Sequence, residues 1–231
     1  MINFRTRELV LAASIGLGVI LSHPARSSTH PDLSGLWAPR VGSVHRSRPS
    51  FSQAGTDELK KPSKLTDPNG LDDNDRYCLP YGQPWTLMQS APIDIVQDDR
   101  ETTMLYEDRT LPYHIYTDGR AHPDAAHLKH TLQGDSIGHW EGDEFVVDSV
   151  GFAADPAHGA LMMLPNDPTT HIVARFRLAA GGSELHGSFH VEDPQWLTQR
   201  FDIDVVWYRA SPDDYVRVVT CDPRDSGNSH G

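Results

Sequence analysis

Three consecutive runs in the second half of the chain keep a strict two-residue rhythm. In Thr170 to Leu178, Ile172, Ala174, Phe176 and Leu178 alternate with His171, Val173, Arg175 and Arg177. Leu185, Gly187, Phe189 and Val191 alternate in the same way with His186, Ser188 and His190, and Phe201, Ile203, Val205 and Trp207 with Asp202 and Asp204. A period of two puts successive side chains on opposite faces of an extended strand, a pattern that a helix cannot bury. Gly181-Gly182 joins the first two runs. Upstream, Gly134 to Phe152 reads as a hairpin around Glu141-Gly142-Asp143, and Glu-Gly, Gly-Asp and a three-residue loop all fit the spacing. Trp140 and Phe145 are expected on its body-facing side. Shorter β-rich runs lie at Ile93 and Ile95, Thr103 to Tyr106, Tyr113 to Tyr116 and Tyr215 to Thr220. No long helical pattern follows the N-terminus. The chain therefore predicts an all-β domain, an antiparallel barrel with a sandwich as the alternative.

The N-terminus has a different character. Arg5 and Arg7 precede an apolar run from Leu9 to Leu21, followed by Ala25-Arg26-Ser27. That is the layout of a secretory signal peptide over residues 1–27, and the run is shorter than the roughly 20 residues of a membrane span. No later segment is apolar enough to cross a bilayer, so a soluble exported protein, periplasmic or secreted, is expected. Residues 28–75 hold a first strand at Asp32 to Trp37, then a loop over 38–75 that wraps the body, with one helical turn near Thr56 to Lys61. The barrel is expected over 76–222 and a flexible tail over 223–231.

Charge narrows the partners. The whole chain carries a net charge of −12. Losing Arg5, Arg7, Arg26 and Glu8 with the leader takes the mature protein to about −14, which argues against nucleic acid or anionic lipid. The two cysteines, Cys78 and Cys221, both fall in the mature part. In an oxidising compartment a lone pair usually bridges, the alternative being two buried thiols.

The hairpin, together with Tyr116 to Pro123 before it and Thr170 to Phe176 after it, resembles a large family of exported bacterial proteins. The matching positions are Cys78-Leu79-Pro80; Asp118, Gly119, Arg120, His122 and Pro123; Asp135 through Asp143; His171, Arg175 and Phe176; Asp193 and Pro194; and Cys221. The resemblance spans about 78 to 221 and supports a Cys78–Cys221 bridge, but it carries no reaction with it. A weaker resemblance is to the lipocalins. Gly35-Leu36-Trp37 looks like their Gly-x-Trp, whose Trp closes the barrel floor under an Arg from a late strand, here Arg209 or Arg217. It implies a lipocalin-like barrel enclosing one small, largely apolar ligand.

Candidate chemistry rests on acid/base groups. Asp148 shares a strand face with Val146 and Val150, an apolar setting expected to raise a carboxyl pKa, and a raised carboxyl near a histidine is a common acid/base pair. Pro123 holds His122 extended, a good perch over a barrel mouth. The candidate catalytic residues are His122, Asp148, His171 and Asp118. Arg120 and Arg175 are candidates for holding a carboxylate or enolate, since guanidinium offers bidentate geometry. Tyr106, Tyr116 and Trp140, with Trp85 and Trp207, are candidates for lining a ligand cavity. Asp118, Arg120, His122, Asp148, His171 and Arg175 are expected to supply most of the polar lining of one cavity.

Other chemistries find less support. His186 and His190 on a strand lie about 13 Å apart and cannot chelate one ion. His127 with His130, or His122 with His171, are the remaining metal pairings, so no metal or organic cofactor is assigned. Glycine-rich phosphate cradles are absent from the sequence. Gly134 to Gly138 lacks the strand-to-helix context of a nucleophile elbow. Three functions follow from these residues. The first is a cofactor-free lyase, isomerase or hydrolase acting on a small apolar or aromatic molecule. The second is a carrier using the same cavity. The third is an envelope structural or interaction protein.

Overall fold

A computed structural model describes residues 30–60, 80–88, 91–107, 111–154, 167–211 and 213–216. The leader, Cys78, Cys221, Arg217, the Trp85 side chain and the 223–231 tail lie outside the described residues. Nine strands form a closed barrel in sequence order: β1 (Gly35–Arg46), β2 (Ile93–Gln97), β3 (Glu101–Tyr106), β4 (Tyr113–Tyr116), β5 (Asp135–Glu141), β6 (Glu144–Val150), β7 (His171–Ala179), β8 (Glu184–Glu192) and β9 (Phe201–Arg209). No described helix is long and apolar enough to cross a membrane.

All neighbours pair antiparallel except β4 and β5, which run parallel through the single pair Tyr116↔Ile137. The exception has a topological reason. Nine strands of strictly alternating direction would leave the first and last pointing the same way. One parallel step reverses the count, and β9 then closes on β1 antiparallel, from Trp37↔Arg209 to Arg46↔Ile203. A parallel step needs a long crossover, which the chain between Thr117 and Gly134 provides.

The two-residue rhythm sorts inside from outside as expected. Ile172, Ala174 and Phe176 of β7, Leu185, Phe189 and Val191 of β8, and Phe201, Ile203, Val205 and Trp207 of β9 are all buried in one apolar cluster. Burying each large side chain contributes about 1.5–3 kcal/mol. Two inward positions carry glycine because the neighbouring rings leave no room. A Cβ at Gly187 would meet Trp207 Cζ3 at 2.7 Å, and one at Gly138 would meet Phe145 Cζ at 2.6 Å. Phe145 is fully buried, and the ring of the half-buried Trp140 lies 5.1 Å from it, on the body-facing side of the hairpin. The hairpin loop is Gly142-Asp143 between the pair Glu141↔Glu144. Gly142 has φ 63°, the positive value a tight turn needs at its first central residue.

The first strand is longer than the sequence indicates, running through Arg46 where a loop was expected from 38. Arg40, Val41 and Gly42 are exposed and carry no apolar rhythm. They fall in a register break between Pro39 and Val44, where Gly42 takes φ 81°, and pairing with β9 resumes at Val44. The wrapping segment follows. A helix over Gln53–Leu59, capped by Ser52 Oγ accepting from Gly55 N at 3.0 Å, replaces the single turn expected near Thr56. Gly55 packs so closely on the Trp196 carbonyl that a Cβ would lie 2.3 Å from its oxygen, and Phe51 bridges to Leu197. Of the run expected at Tyr215 to Thr220, the described residues Tyr215 and Val216 are not in a strand.

One end of the barrel is closed by Trp37. Its ring is fully buried, its Nε1 donates to the Leu33 carbonyl at 2.9 Å, and the Arg209 guanidinium sits 4.2 Å over its centroid. Arg209 also donates to the carbonyls of Gly182 and Ser34, at 3.2 and 3.3 Å. Arg209 is therefore the late-strand arginine over this tryptophan.

Candidate functional site

Three of the six candidate residues come together, on the outer wall of the barrel and not in its interior. Asp148 is an outward position of β6, paired with Ile137 on one side and Val173 on the other. Asp135 on β5 and His171 on β7 each lie two residues along from those partners, so both are its diagonal neighbours on the same face. The β4–β5 crossover carries His122 over this surface. His122 Nδ1 lies 2.6 Å from Asp135 Oδ1, its Nε2 lies 3.7 Å from Asp148 Oδ1, and Asp148 Oδ1 lies 2.7 Å from His171 Nε2. Acid and imidazole thus alternate as Asp135, His122, Asp148, His171.

The chain of contacts is not uniform. An ionised carboxylate can only accept, so the His122 nitrogen that faces it, Nδ1, is the donor. The other ring nitrogen, Nε2, is buried and has no hydrogen-bond partner among the described residues, since 3.7 Å to Asp148 exceeds bonding distance. Asp148 and His171 form a bonded pair at partly exposed positions. The sequence reading expected apolar surroundings to raise the Asp148 pKa. Instead the His171 bond outweighs burial and holds the Asp148 carboxyl below its usual range, while the same bond raises the His171 pKa.

The other candidates lie elsewhere or act on one another. Arg120 and Asp118 pair at the surface, Nη2 to Oδ2 at 2.6 Å, which holds the Asp118 carboxyl down at about 2. Gly119 between them has φ 81°, as a tight turn requires. The Arg120 guanidinium lies 3.9 Å over the Tyr116 ring, so Tyr116 is capped from one side. Arg175 is held by Glu141 and Glu144 at 2.8 and 2.7 Å, away from the imidazoles. Tyr106 and Trp207 belong to the core, and Trp140 stacks on His30 with ring centroids 5.1 Å apart. His186 and His190 each pair with their own carboxylate, Glu184 and Asp202. His127 bonds Asp124 in an exposed turn. Among the described residues no three His, Cys, Asp or Glu side chains group so as to hold a metal ion.

Two features escaped the sequence reading. Asp135 belongs to the hairpin motif, but nothing local shows that it orients His122, because the two meet only through the crossover. The second is a triangle of buried hydroxyls behind the site, in the barrel interior. Tyr113 OH lies 2.7 Å from Ser149 Oγ, Ser149 lies 2.8 Å from Ser136, and Ser136 lies 3.3 Å from Tyr113. Serines at the inward positions of β5 and β6 were the available signal. In comparison with known proteins, the chain matches no family profile and no curated sequence.

Proposed function

We propose that this is an exported barrel protein that binds a small, largely apolar or aromatic molecule and acts on it by acid/base chemistry without an organic cofactor. The observation that carries the reading is the His122 Nε2 atom. It is buried, without a hydrogen-bond partner among the described residues, and oriented from behind by Asp135 at 2.6 Å. Leaving such a nitrogen unpaired costs about 1–3 kcal/mol, a cost common at working sites and rare elsewhere. In this reading the crossover shifts to admit substrate to Nε2, which takes a proton from a C–H or O–H, and Asp135 and Asp148 stabilise the imidazolium that forms. His171, whose pKa Asp148 raises, supplies positive charge next to the anion left on the substrate. An isomerase step is completed when the imidazolium returns this proton to a different atom of the substrate, and a lyase step when it passes the proton to the departing group.

The test is a metabolite screen of the purified protein for turnover, repeated with His122→Ala. The expected loss in kcat/KM is about 10²–10⁴-fold, with the melting temperature nearly unchanged. Turnover that survives in His122→Ala would overturn the reading. The carrier reading differs in a single respect, binding without turnover that is insensitive to His122. A structural or interaction role would show neither.

A further inference from the structure

The parallel seam that closes the barrel also opens its wall. Past Tyr116↔Ile137, β4 and β5 share no further Cα pair, and between them lies a cleft of about 330 Å³. Leu111, Pro112 and Tyr116 form one side, and Gln133, Asp135 and Ser136 the other. The volume falls at the small end of the range of about 300–1,000 Å³ for small-molecule sites.

Hydrogen-bonding capacity on the second side is one-sided. Gln133 is 7% exposed, and its Nε2 donates to the carbonyls of Tyr81 and Leu111 at 3.3 and 3.2 Å. Two carbonyl acceptors fix which end of the amide is nitrogen. Its Oε1 is then left buried with no partner among the described residues. Asp135 spends one oxygen on His122, and its other oxygen bonds no described residue. His114, which also lines the cleft, is engaged with Glu101, and Arg120, over the Tyr116 ring, with Asp118. The cleft therefore offers acceptors, one of them anionic, beside an apolar wall.

We propose that this cleft binds a small ammonium compound with an apolar or aromatic body. Asp135 faces the cationic nitrogen, Gln133 Oε1 accepts one of its N–H bonds, and Leu111, Pro112 and the edge of Tyr116 cover the body. The assignment rests on the acid/base reading only for its consequence, because a molecule held by Asp135 lies next to His122.

The experiment is an amide-shift titration of the purified chain with benzylamine, benzyl alcohol and benzoate. Benzylamine is expected to saturate, with shifts at Leu111, Gln133 and Gly134. Benzyl alcohol should bind at least about tenfold weaker, and benzoate should not saturate. Gln133→Met should weaken benzylamine at least about tenfold. Leu111 is 41% exposed, so Leu111→Trp can fill the cleft without disturbing the core and should abolish binding. Amide shifts report binding without turnover, so a failure to bind benzylamine is told apart from a failure of the catalytic reading. Benzoate binding as well as benzylamine would overturn the ligand class. Failure of benzylamine to bind, or binding that survives Leu111→Trp, would overturn the site.

Discussion

His171 Nε2 lies 2.7 Å from Asp148 Oδ1, across two strands that meet at the pair Asp148↔Val173. Both groups are shifted by this contact, so it must be visible in the pH dependence of stability. The His171 pKa is raised, so its contribution is complete below the ordinary histidine value and is lost as pH rises through the folded value. The Asp148 pKa is lowered, so its contribution is present above the ordinary carboxyl value and is lost as pH falls through the folded value. The pair contributes most between about pH 4 and 6.5. Both side chains are more than a third exposed, and solvent screening keeps the gain below about 1 kcal/mol. Melting curves of the wild type and His171→Gln should differ in that window and converge once pH has passed the raised His171 value. A constant offset across pH would sink the assignment.

The glycine of the hairpin at position 138 is a packing requirement. Its missing Cβ would lie 2.6 Å from Phe145 Cζ and 2.8 Å from Ile115 Cγ2. Gly138→Ala should therefore destabilise by about 1–3 kcal/mol, read from the urea midpoint. The turn glycine Gly142 provides the contrast. A Cβ there meets nothing within 4 Å, but φ is 63°, so Gly142→Ala costs only its backbone strain, about 1 kcal/mol. Equal costs at the two sites would count against the packing account.

The buried hydroxyl triangle predicts unequal effects from its members. Tyr113→Phe removes one corner but leaves Ser136 and Ser149 bonded at 2.8 Å, for a loss of about 1 kcal/mol. Ser149→Ala leaves the Tyr113 hydroxyl with only its 3.3 Å contact to Ser136, and the nearly unpaired phenol should cost about 1–3 kcal/mol. Chemical denaturation of the two variants gives the order, and a larger loss for Tyr113→Phe would refute it.

At the closed end, Arg209 combines a ring contact with two carbonyl bonds, and Trp37 lies wholly beneath it. Lysine keeps the charge but cannot span the ring and both carbonyls with a planar fork. Arg209→Lys should lose about 1–2 kcal/mol, and Arg209→Met somewhat more. If lysine were fully equivalent in a thermal melt, the guanidinium geometry would have no role here.

Much of this protein is legible along the chain because side-chain alternation is a local property. Ile172 and Phe176 face inward and His171 and Arg175 outward whatever the strand pairs with, since neighbouring side chains on an extended backbone must diverge. The body-facing Phe145 follows for the same reason, whereas alternation left three hairpin loops open and the pair Glu141↔Glu144 decided between them. Local alternation also placed Asp148 and His171 on outward faces, yet the expectation of one shared cavity ran against it. Only the tertiary structure decided which outward groups meet. Asp135 and His122 are joined by a crossover whose path no periodicity encodes, and Arg175 was claimed by Glu141 and Glu144 once β5, β6 and β7 came into register. The parallel β4–β5 step belongs to the same class, because the closure of nine strands is a constraint on the whole ring. So does the sign of the Asp148 shift. Its strand neighbours predict desolvation, whereas the ion pair that outweighs desolvation comes from the next strand over.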